Sequence, residues 1–375
     1  MIDFKYIESQ GELDQVTAAM EQSSRVAVDT EADSLHSYKE KVCLIQLRFK
    51  DKNYLIDPLI ELDLSGFLKV LTGKQLIFHG ADYDLRMLRQ SYGFVPQKEI
   101  FDTMIAAQLL GLPGISLQAL VQDSFEVTLS KKGQRSDWSR RPLTKEQLVY
   151  AAADTFYLGR LAERLEAGLK EKGRLGWFKE WCEKLVEVTA VEKSVNEEDL
   201  WRIKGISRLK PQELNFVRAL WYWRDQQARR KDVPVFKIMN NEQLIELALS
   251  VSGAFTDHPK DFLKRAVFPK YIRGERLAVL NQSLERAAEL SPSEWPQPRR
   301  KTFVPMARAQ KQEVAQLRER LTALAEKLEL PLHVIAPRAL VEQIVIHQAH
   351  SEAEMVEASP IMKWQAALVA SCIKD

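Results

Sequence analysis

Four acidic residues and one tyrosine, spread over three segments of the chain, have the types and spacing of a metal-dependent catalytic site: Asp29, Glu31, Asp84, Tyr150 and Asp154. Each acid occupies a position where its segment otherwise favours an apolar residue. Buried carboxylates are rare unless a partner offsets the cost of leaving water, and clustered carboxylates repel unless a cation neutralises them. We therefore predict a divalent metal site, and ligands that are all oxygen favour magnesium or manganese.

The spacing within the segments predicts how these side chains meet. On a strand, residues i and i+2 point to one face, so Asp29 and Glu31 can bind one ion or two adjacent ions. On a helix, residues i and i+4 are neighbours, so Tyr150 and Asp154 project together. Two ions roughly 3.5–4 Å apart stabilise both the attacking and the leaving oxygen of a phosphoryl displacement. A tyrosine hydroxyl beside them can orient the attacking water or help to deprotonate it.

Neighbouring polar residues have ordinary structural interpretations. We expect Asp82 to act as an N-terminal cap or dipole partner of its helix, and Asp102 to cap the next one. His79 is expected to be a hydrogen-bonded core residue, and Asp57, which precedes a proline, to be a turn residue. Each acidic segment taken alone also fits an ordinary turn or helix, so the hypothesis depends on the joint pattern. No zinc-binding HExxH, P-loop or nucleophile-elbow serine motif occurs in the sequence.

Composition bounds the class of protein. The chain has 375 residues, of which 45% are hydrophobic and 28% charged, as expected of a globular protein with two or three domains. The net charge is +2, so any nucleic-acid surface must be local. Cys43, Cys182 and Cys372 form no CxxC pair, which argues against a disulfide scaffold or a zinc site and fits a reducing compartment. Without a signal peptide or a membrane-spanning apolar stretch, we expect a soluble cytoplasmic protein.

Residues 1–172 are predicted to form an α/β domain with a mixed sheet flanked by helices. The predicted strands are 25–30, 42–49, 53–57 and 75–79, and the predicted helices are 102–110, 116–124 and 144–172. The first three strands are expected to be antiparallel. A capping-box pattern, Thr144 with Gln147, predicts where the last helix begins.

The remainder of the chain is predicted to be helical. A connector is expected at 173–207, a first helical domain at 208–290, a linker rich in proline and serine at 291–298, and a second helical domain at 299–375. The two helical domains are weakly similar to each other, because each contains a proline followed by an apolar run and then a second helix. A duplicated module is the simplest interpretation.

Three segments resemble the exonuclease motifs of the DEDD superfamily, and the spacing of the third indicates the tyrosine subclass: Val28–Glu31, Phe78–Leu85 and Tyr150–Asp154. The stretch Gln134–Trp138, with 141–143, is similar to the segment before the third motif in ribonuclease D and its eukaryotic exosome relatives. The helical domains resemble HRDC domains, the second less closely. One exonuclease domain with two such domains is the layout of the bacterial ribonuclease D family.

That resemblance implies an RNase H-like (DnaQ-like) fold and a 3′→5′ exoribonuclease that releases nucleoside 5′-monophosphates with two Mg²⁺ or Mn²⁺ ions. Asp29, Glu31 and Asp154 would bind the first ion, and Asp29 would bridge to the second. Asp84, rather than Asp82, would support the second ion directly or through water. Tyr150 would position the attacking water. The implied substrate is RNA with a single-stranded 3′ end, with maturation of transfer-RNA precursors as the family's usual task.

A basic loop carrying one tryptophan is the predicted nucleic-acid contact: Lys131, Lys132, Arg135, Trp138 and Arg141. Cations can bind phosphates, and an aromatic ring can stack on an unpaired base. The alternative is that the tryptophan fills the core beneath the loop while the arginines pair with acids. A second candidate surface is one helix of the first helical domain, which carries Arg218, Arg224, Arg229, Arg230 and Lys231 among aromatic residues.

Two rival functions remain open on the sequence. A metal-dependent 3′→5′ DNA exonuclease would use the same four acids, because the metals act on phosphate and the sugar is recognised elsewhere. A non-catalytic RNA-binding adaptor would keep the domain as a scaffold, although four unneutralised carboxylates are costly there. No heptad repeat or long exposed apolar seam predicts a dimer, so we expect a monomer without an obligate protein partner.

Overall fold

The computed structural model describes residues 2–191, 196–299 and 306–373. The chain packs into two compact units. Of the described residues, the first unit contains 2–33, 41–191 and 306–373, and the second contains 34–40 and 196–299. The second unit therefore interrupts the first along the chain. Among the described residues, no helix combines the length and apolar character needed to span a bilayer.

One six-stranded mixed sheet forms the centre of the first unit, in the order β1-β4-β3-β2-β5-β6. Its strands are β1 (Lys5–Ile7), β2 (Arg25–Ala32), β3 (Val42–Phe49), β4 (Lys52–Ile56), β5 (Gln75–Phe78) and β6 (Phe101–Asp102). β2, β3 and β4 are antiparallel, whereas β1, β5 and β6 each pair in parallel with a neighbour. The predicted mixed sheet is confirmed. The short edge strands β1 and β6 were not predicted, because two or three residues are too few for a periodic pattern.

Among the described residues, eight helices of the first unit lie before the long segment of the second unit, 196–299. They are α1 (Gln10–Glu21), α2 (Ser65–Thr72), α3 (Asp82–Tyr92), α4 (Thr103–Leu110), α5 (Leu117–Phe125), α6 (Lys145–Phe156), α7 (Leu158–Glu171) and α8 (Leu175–Ala190). The helix predicted over 144–172 is two helices, because the N–H of Tyr157 bonds to the carbonyl of Thr155 and so breaks the regular ladder. The predicted capping box of Thr144 and Gln147 is present at the start of α6.

The second unit is helical, and the same order of helices recurs at the end of the chain. The helices of the second unit are α9 (Pro211–Lys231), α10 (Val235–Ile238), α11 (Asn241–Asp257), α12 (Phe262–Arg265) and α13 (Glu275–Glu289). Those of residues 306–373 are α14 (Arg308–Lys327), α15 (Leu332–Ile335), α16 (Arg338–His347), α17 (Glu352–Ala358) and α18 (Lys363–Ile373). In both sets a long helix is followed by a four-residue helix that a proline caps, Pro234 or Pro331. This agreement is what a duplicated module produces.

Helices α14–α18 pack on the α/β part of the first unit rather than standing apart. Val334 and Trp364 belong to the same core as Phe178 of α8. The ring of Trp364 stacks on Trp177, with centroids 4.8 Å apart. The separate domain predicted at 299–375 differs from this arrangement, because its apolar face is shared with α8.

The backbone at the C-terminal end of α4 lies unusually close to the backbone of Glu329. Gly111 has a positive φ of 72° as the C-cap of α4, and a Cβ built there would overlap the carbonyl oxygen of Glu329. The buried guanidinium of Arg174 donates to the carbonyls of Leu109 and Leu328. Only glycine fits such an approach of two backbones, so Gly111 is a packing residue.

Helix α6 covers one face of the sheet and carries two of the predicted site residues, Tyr150 and Asp154. It packs against β2, β3 and β4. Leu44, Leu55, Ala151 and Ala152 form an apolar cluster in this layer together with Tyr150. The small alanine side chains let the helix lie close to the strands.

Candidate metal centre

Asp29, Glu31 and Asp154 are brought together in one group. A carboxylate oxygen from each lies within 4.8 Å of the other two. Asp29 pairs with Gln46 of β3, and Glu31 pairs with Leu44. Leu44 faces α6, and residues directly opposite each other in an antiparallel pair share a face. Both β2 carboxylates therefore point towards the helix that carries Asp154.

Helix α6 supplies a hydroxyl beside the third carboxylate. The hydroxyl of Tyr150 donates a hydrogen bond to Asp154, one helical turn away. The Tyr150 ring lies beside Trp138, with centroids 6.1 Å apart, in the cluster under the helix. The predicted joint projection of Tyr150 and Asp154 is therefore found in the structure.

Asp84 approaches Asp29, Glu31 and Asp154 from the edge of β2 that pairs with β5, opposite the edge that pairs with β3. β5 pairs with β2 only at Arg25–Ala27. Beyond that pairing, the N–H of Thr30 donates to Asp84 Oδ1 at 3.0 Å, and the Thr30 hydroxyl donates to the same atom at 2.6 Å. Asp84 thus completes the hydrogen bonding of the strand where β5 has ended. Its oxygens lie outside the group of three that meets within 4.8 Å.

Asp102 holds the turn from which α3 and Asp84 begin. Its carboxylate caps α4 as predicted, accepting from the N–H groups of Met104 and Ile105. It also accepts from the N–H groups of Gly80 and Ala81, at 3.0 and 2.8 Å. One buried acid therefore fixes the starts of two helices, and the charge is offset by four donors.

Of the other two structural expectations near the site, His79 is hydrogen-bonded as expected, whereas Asp82 does not cap α3, whose N-cap is Ala81, and lies in its first turn as a dipole partner. His79 lies within 2.9 Å of the Thr103 hydroxyl through its Nδ1 atom, and burial lowers the pKa of its imidazole. Asp82 is exposed and pairs with Arg86 one turn later. The geometry thus separates Asp84, which is buried, from Asp82, which faces solvent.

The acidic group is electrostatically strained without a cation. Burial raises the pKa of Asp29 and of Glu31 well above the ordinary value, and repulsion from the neighbouring carboxylates raises both further. Burial likewise raises the pKa of Asp84 and of Asp154 to about 7 each, against the lowering effect of their hydrogen bonds. A hard divalent cation would replace the protons that these carboxylates otherwise retain. The donor set therefore fits the predicted metal.

The basic loop between α5 and α6 lies against the tyrosine of this group. Lys131, Lys132 and Arg135 are exposed and form no ion pair within the part of the chain that the structure describes. Gly133, with a φ of 114°, lies so close that a Cβ there would come within 3.0 Å of the Tyr150 Cβ. Three free cations therefore flank a glycine that contacts the Tyr150 side chain.

The prediction that Trp138 and Arg141 contact nucleic acid is not supported by their surroundings. Trp138 is 1% exposed and belongs to the core under α6, as the alternative interpretation expected. Arg141 forms an ion pair with Asp57 and donates to the carbonyl of Cys43 at 2.7 Å. Asp57 is 1% exposed, so it anchors this loop instead of serving only as a turn residue.

The arginines of α9 are engaged within the second unit. Arg224 is buried, and burial lowers its pKa. Arg229 pairs with Asp225, and Arg230 pairs with Glu275. Three of the five cations predicted as a surface on this helix are therefore engaged within the unit, whereas among the described residues Arg218 donates only to the Asn215 side chain and Lys231 is exposed.

A different basic segment of the second unit remains exposed, and the sequence analysis missed it. Lys260, Arg265, Lys270 and Arg273 are exposed, and among the described residues they form no ion pair. Tyr271, between the last two, is 45% exposed. Cations alternating with an aromatic residue were the signal that could have found this segment.

Comparison with known proteins places the two parts of the chain in known families. A family model for a 3′-5′ exonuclease matches residues 4–170, and a model for the HRDC domain matches residues 213–252. The ribonuclease D of Serratia proteamaculans is 30% identical over 307 residues, which cover 79% of each chain. That of Zymomonas mobilis is 31% identical over 278 residues, covering 72% of this chain and 70% of the relative.

Other relatives match over a smaller part of their length. The ribonuclease D of Bartonella henselae is 32% identical over 250 residues. The match covers 65% of this chain and 61% of that relative, which is less than two thirds of its length.

Two crystal structures share the fold. A protein from Bifidobacterium adolescentis aligns with a TM-score of 0.85 and 22% identity, covering 99% of this chain and 96% of its own. Escherichia coli RNase D aligns with a TM-score of 0.74 and 24% identity, covering 99% of this chain and 98% of its own.

Proposed function

The chain belongs to the ribonuclease D family, and from this membership we propose that it is a metal-dependent 3′→5′ exoribonuclease. It would hydrolyse single-stranded RNA 3′ ends and release nucleoside 5′-monophosphates. The observation that carries the proposal is the convergence of Asp29, Glu31 and Asp154 within 4.8 Å, with the Tyr150 hydroxyl beside them. Three uncompensated carboxylates and one hydroxyl suit metal-dependent attack of water on a phosphodiester.

Each acidic residue of the site has its own role in this proposal. Asp29, Glu31 and Asp154 would hold one Mg²⁺ or Mn²⁺ ion, and Asp29 would also serve as a ligand of a second ion. Asp84 supports the second ion directly or through water, and its bonds to Thr30 fix its position on β2. Such a pair of ions supplies Lewis-acid stabilisation of the attacking and leaving oxygens.

Tyr150 is proposed to orient the attacking water. Its hydroxyl proton is donated to Asp154, so the lone pairs of its oxygen are left to accept a hydrogen bond. A water that donates to Tyr150 has its own lone pair directed elsewhere, which is the arrangement that attack on phosphorus needs. Gly133 and Trp138 support the aromatic ring from two sides.

RNA contacts are proposed at two basic segments. Lys131, Lys132 and Arg135 would bind phosphates close to the scissile bond, and the contact of Gly133 with Tyr150 supports that location. In the second unit, residues 260–273 would also bind RNA, since Lys260, Arg265, Lys270 and Arg273 are exposed and form no ion pair among the described residues. The repeated helix order also supports a second HRDC-like module at 306–373.

The substrate and setting are proposed from the family. RNA with a single-stranded 3′ end, and transfer-RNA precursors in particular, would be trimmed. The solved relative from Escherichia coli is described as an exoribonuclease involved in structured RNA processing. Three free, buried cysteines fit a reducing compartment, so we propose the cytoplasm, and a monomer as the working form.

Degradation of a 5′-labelled single-stranded RNA, beside DNA of the same sequence, tests this function. With Mg²⁺ or Mn²⁺, the wild-type protein should produce a ladder that shortens from the 3′ end of the RNA, and EDTA or Asp154→Asn should abolish it. Asp82→Asn is the matched control, because that exposed aspartate pairs only with Arg86 on its helix. Preferential loss of DNA would support the DNA exonuclease, and binding of RNA without cleavage would support the adaptor.

A further inference from the structure

Gln46 lies on β3 directly opposite one of the proposed metal ligands. It pairs directly with Asp29 across the antiparallel strands. Side chains opposite each other in such a pair share a face, with Cβ atoms about 4.5–5.5 Å apart. The Gln46 side chain is 0% exposed, so water cannot replace any partner that it lacks.

Both polar atoms of this side chain lack a partner. Neither Nε2 nor Oε1 of Gln46 forms a hydrogen bond with any described residue. Buried amides are almost always hydrogen-bonded, because a buried polar group without a partner has lost its water and gained nothing in exchange. Such a cost calls for an explanation at this position.

Apolar side chains flank Gln46 on β3 and on β4. Leu44 is its neighbour on the same face of β3, and Leu55 lies opposite on β4. Both belong to the apolar cluster under α6. On the β2 side lies the carboxylate of Asp29, which accepts hydrogen bonds when ionised. The amide therefore has an available partner in the acidic group.

We propose that Gln46 is a positioning residue of the metal centre, whose amide Nε2 donates to the Asp29 carboxylate when the metal is bound and so fixes the orientation of that ligand. The proposal rests on the proposed function, since it assumes that Asp29 is a ligand. Groups that hydrogen-bond metal ligands fix the orientation of those ligands, and losing one typically weakens metal affinity 10–100-fold. Gln46 would thus stabilise the metal-bound form at the expense of the metal-free form.

This role predicts opposite effects on stability and on metal binding. In Gln46→Met, a side chain of similar length replaces the unpaired amide with apolar atoms. The melting temperature of the metal-free protein should stay equal or rise, because an unsatisfied buried group is removed. The Kd for Mn²⁺ should increase roughly 10-fold or more, because Asp29 loses its partner.

Calorimetric titration of the full chain with Mn²⁺ in the absence of RNA, beside thermal melts in EDTA, is the test. Gln365→Met is the matched control, because that buried glutamine accepts from the Met362 N–H and donates to the Val334 carbonyl. Gln365→Met should lower the melting temperature and leave the Kd for Mn²⁺ within about two-fold. If Gln46→Met does not fold, Gln46→Asn, which keeps an amide but withdraws it by one methylene, should show the same weakening.

The outcomes separate the two proposals. A melting temperature that falls in Gln46→Met while the Kd for Mn²⁺ is unchanged means that Gln46 is only a core residue. A wild-type protein that binds Mn²⁺ but does not degrade RNA overturns the proposed function and leaves the role of Gln46 intact. A wild-type protein that binds no Mn²⁺ overturns the metal centre on which both depend.

Discussion

Substituting Asp154 by asparagine should stabilise the metal-free protein while it abolishes RNA degradation. Burial, together with the smaller effect of the Asp84 charge, raises the pKa of Asp154 from 3.8 to about 7, against the lowering effect of the hydrogen bond from Tyr150. A group with a raised pKa holds its proton more tightly in the folded state than in the unfolded chain. Its contribution to stability is therefore lost as the pH rises from 3.8 to about 7, and the loss is complete above that range.

The size of the effect follows from the shift. A change of about three pKa units, at about 1.4 kcal/mol each, makes ionised Asp154 cost on the order of 4 kcal/mol at pH 8. At pH 5 the folded state still holds the proton and the cost is about 2 kcal/mol. Asparagine never ionises, so the stability advantage of the variant should grow by about 2 kcal/mol between the two pH values.

Urea denaturation in EDTA at pH 5 and pH 8 measures this difference. Asp82→Asn should show no pH-dependent advantage, because that exposed side chain pairs with Arg86. Saturating Mn²⁺ should reverse the order at pH 8, since only the wild-type protein gains binding free energy in its folded state. An Asp154→Asn protein that is destabilised equally at both pH values would refute the reasoning, because the carboxylate would then be acting as an ordinary structural residue.

Three further substitutions test other contacts. Tyr150→Phe should lower kcat about 100-fold or more and leave the Kd for Mn²⁺ within a few-fold. A large change in the Kd would mean that the hydroxyl supports binding of the ions rather than orientation of the water. Arg141→Ala should lower the free energy of unfolding by about 3–5 kcal/mol, because it leaves the Asp57 carboxylate buried without its ion partner. Urea denaturation measures this loss, and a loss below about 1 kcal/mol would contradict the prediction. Gly111→Ala should reduce stability far more than Gly93→Ala, which has a similar positive φ but open space around it, so equal melting temperatures would show that the close backbone contact is unimportant.

The candidate catalytic residues could be predicted because local periodicity determines which of them share a face. The spacing of two in β2 and of four in α6 follows from backbone geometry, and the structure brings Asp29, Glu31 and Asp154 together. Asp84 could be included because it occupies an apolar position in its segment, and the choice of Asp84 over Asp82 came from the family resemblance. What attaches it to β2, the hydrogen bonds from Thr30, depends on where β5 stops pairing, and no pattern in the sequence records that.

Pairings between distant residues were beyond the sequence analysis. Arg141 and Asp57 are 84 positions apart, and each has an ordinary local explanation, as an RNA contact and as a turn residue. The same holds for Arg230 and Glu275, whose ion pair removes a cation from the surface predicted on α9. Charge counts along a segment do not show which charges are already neutralised by a partner from another element.

The interruption of the first unit has a consequence for how the protein is made. Ribosomes add roughly 5–20 residues per second, so Val334 is synthesised roughly 7–29 seconds after Ala190, the last residue of α8. Throughout that interval the nascent chain contains every proposed metal ligand, but Phe178 and Trp177 lack the side chains that later cover them. A message truncated within the second unit therefore encodes a chain with an exposed apolar face, which chaperones and proteases recognise. We therefore expect the dependence of the early core on late residues to limit the survival of incomplete chains.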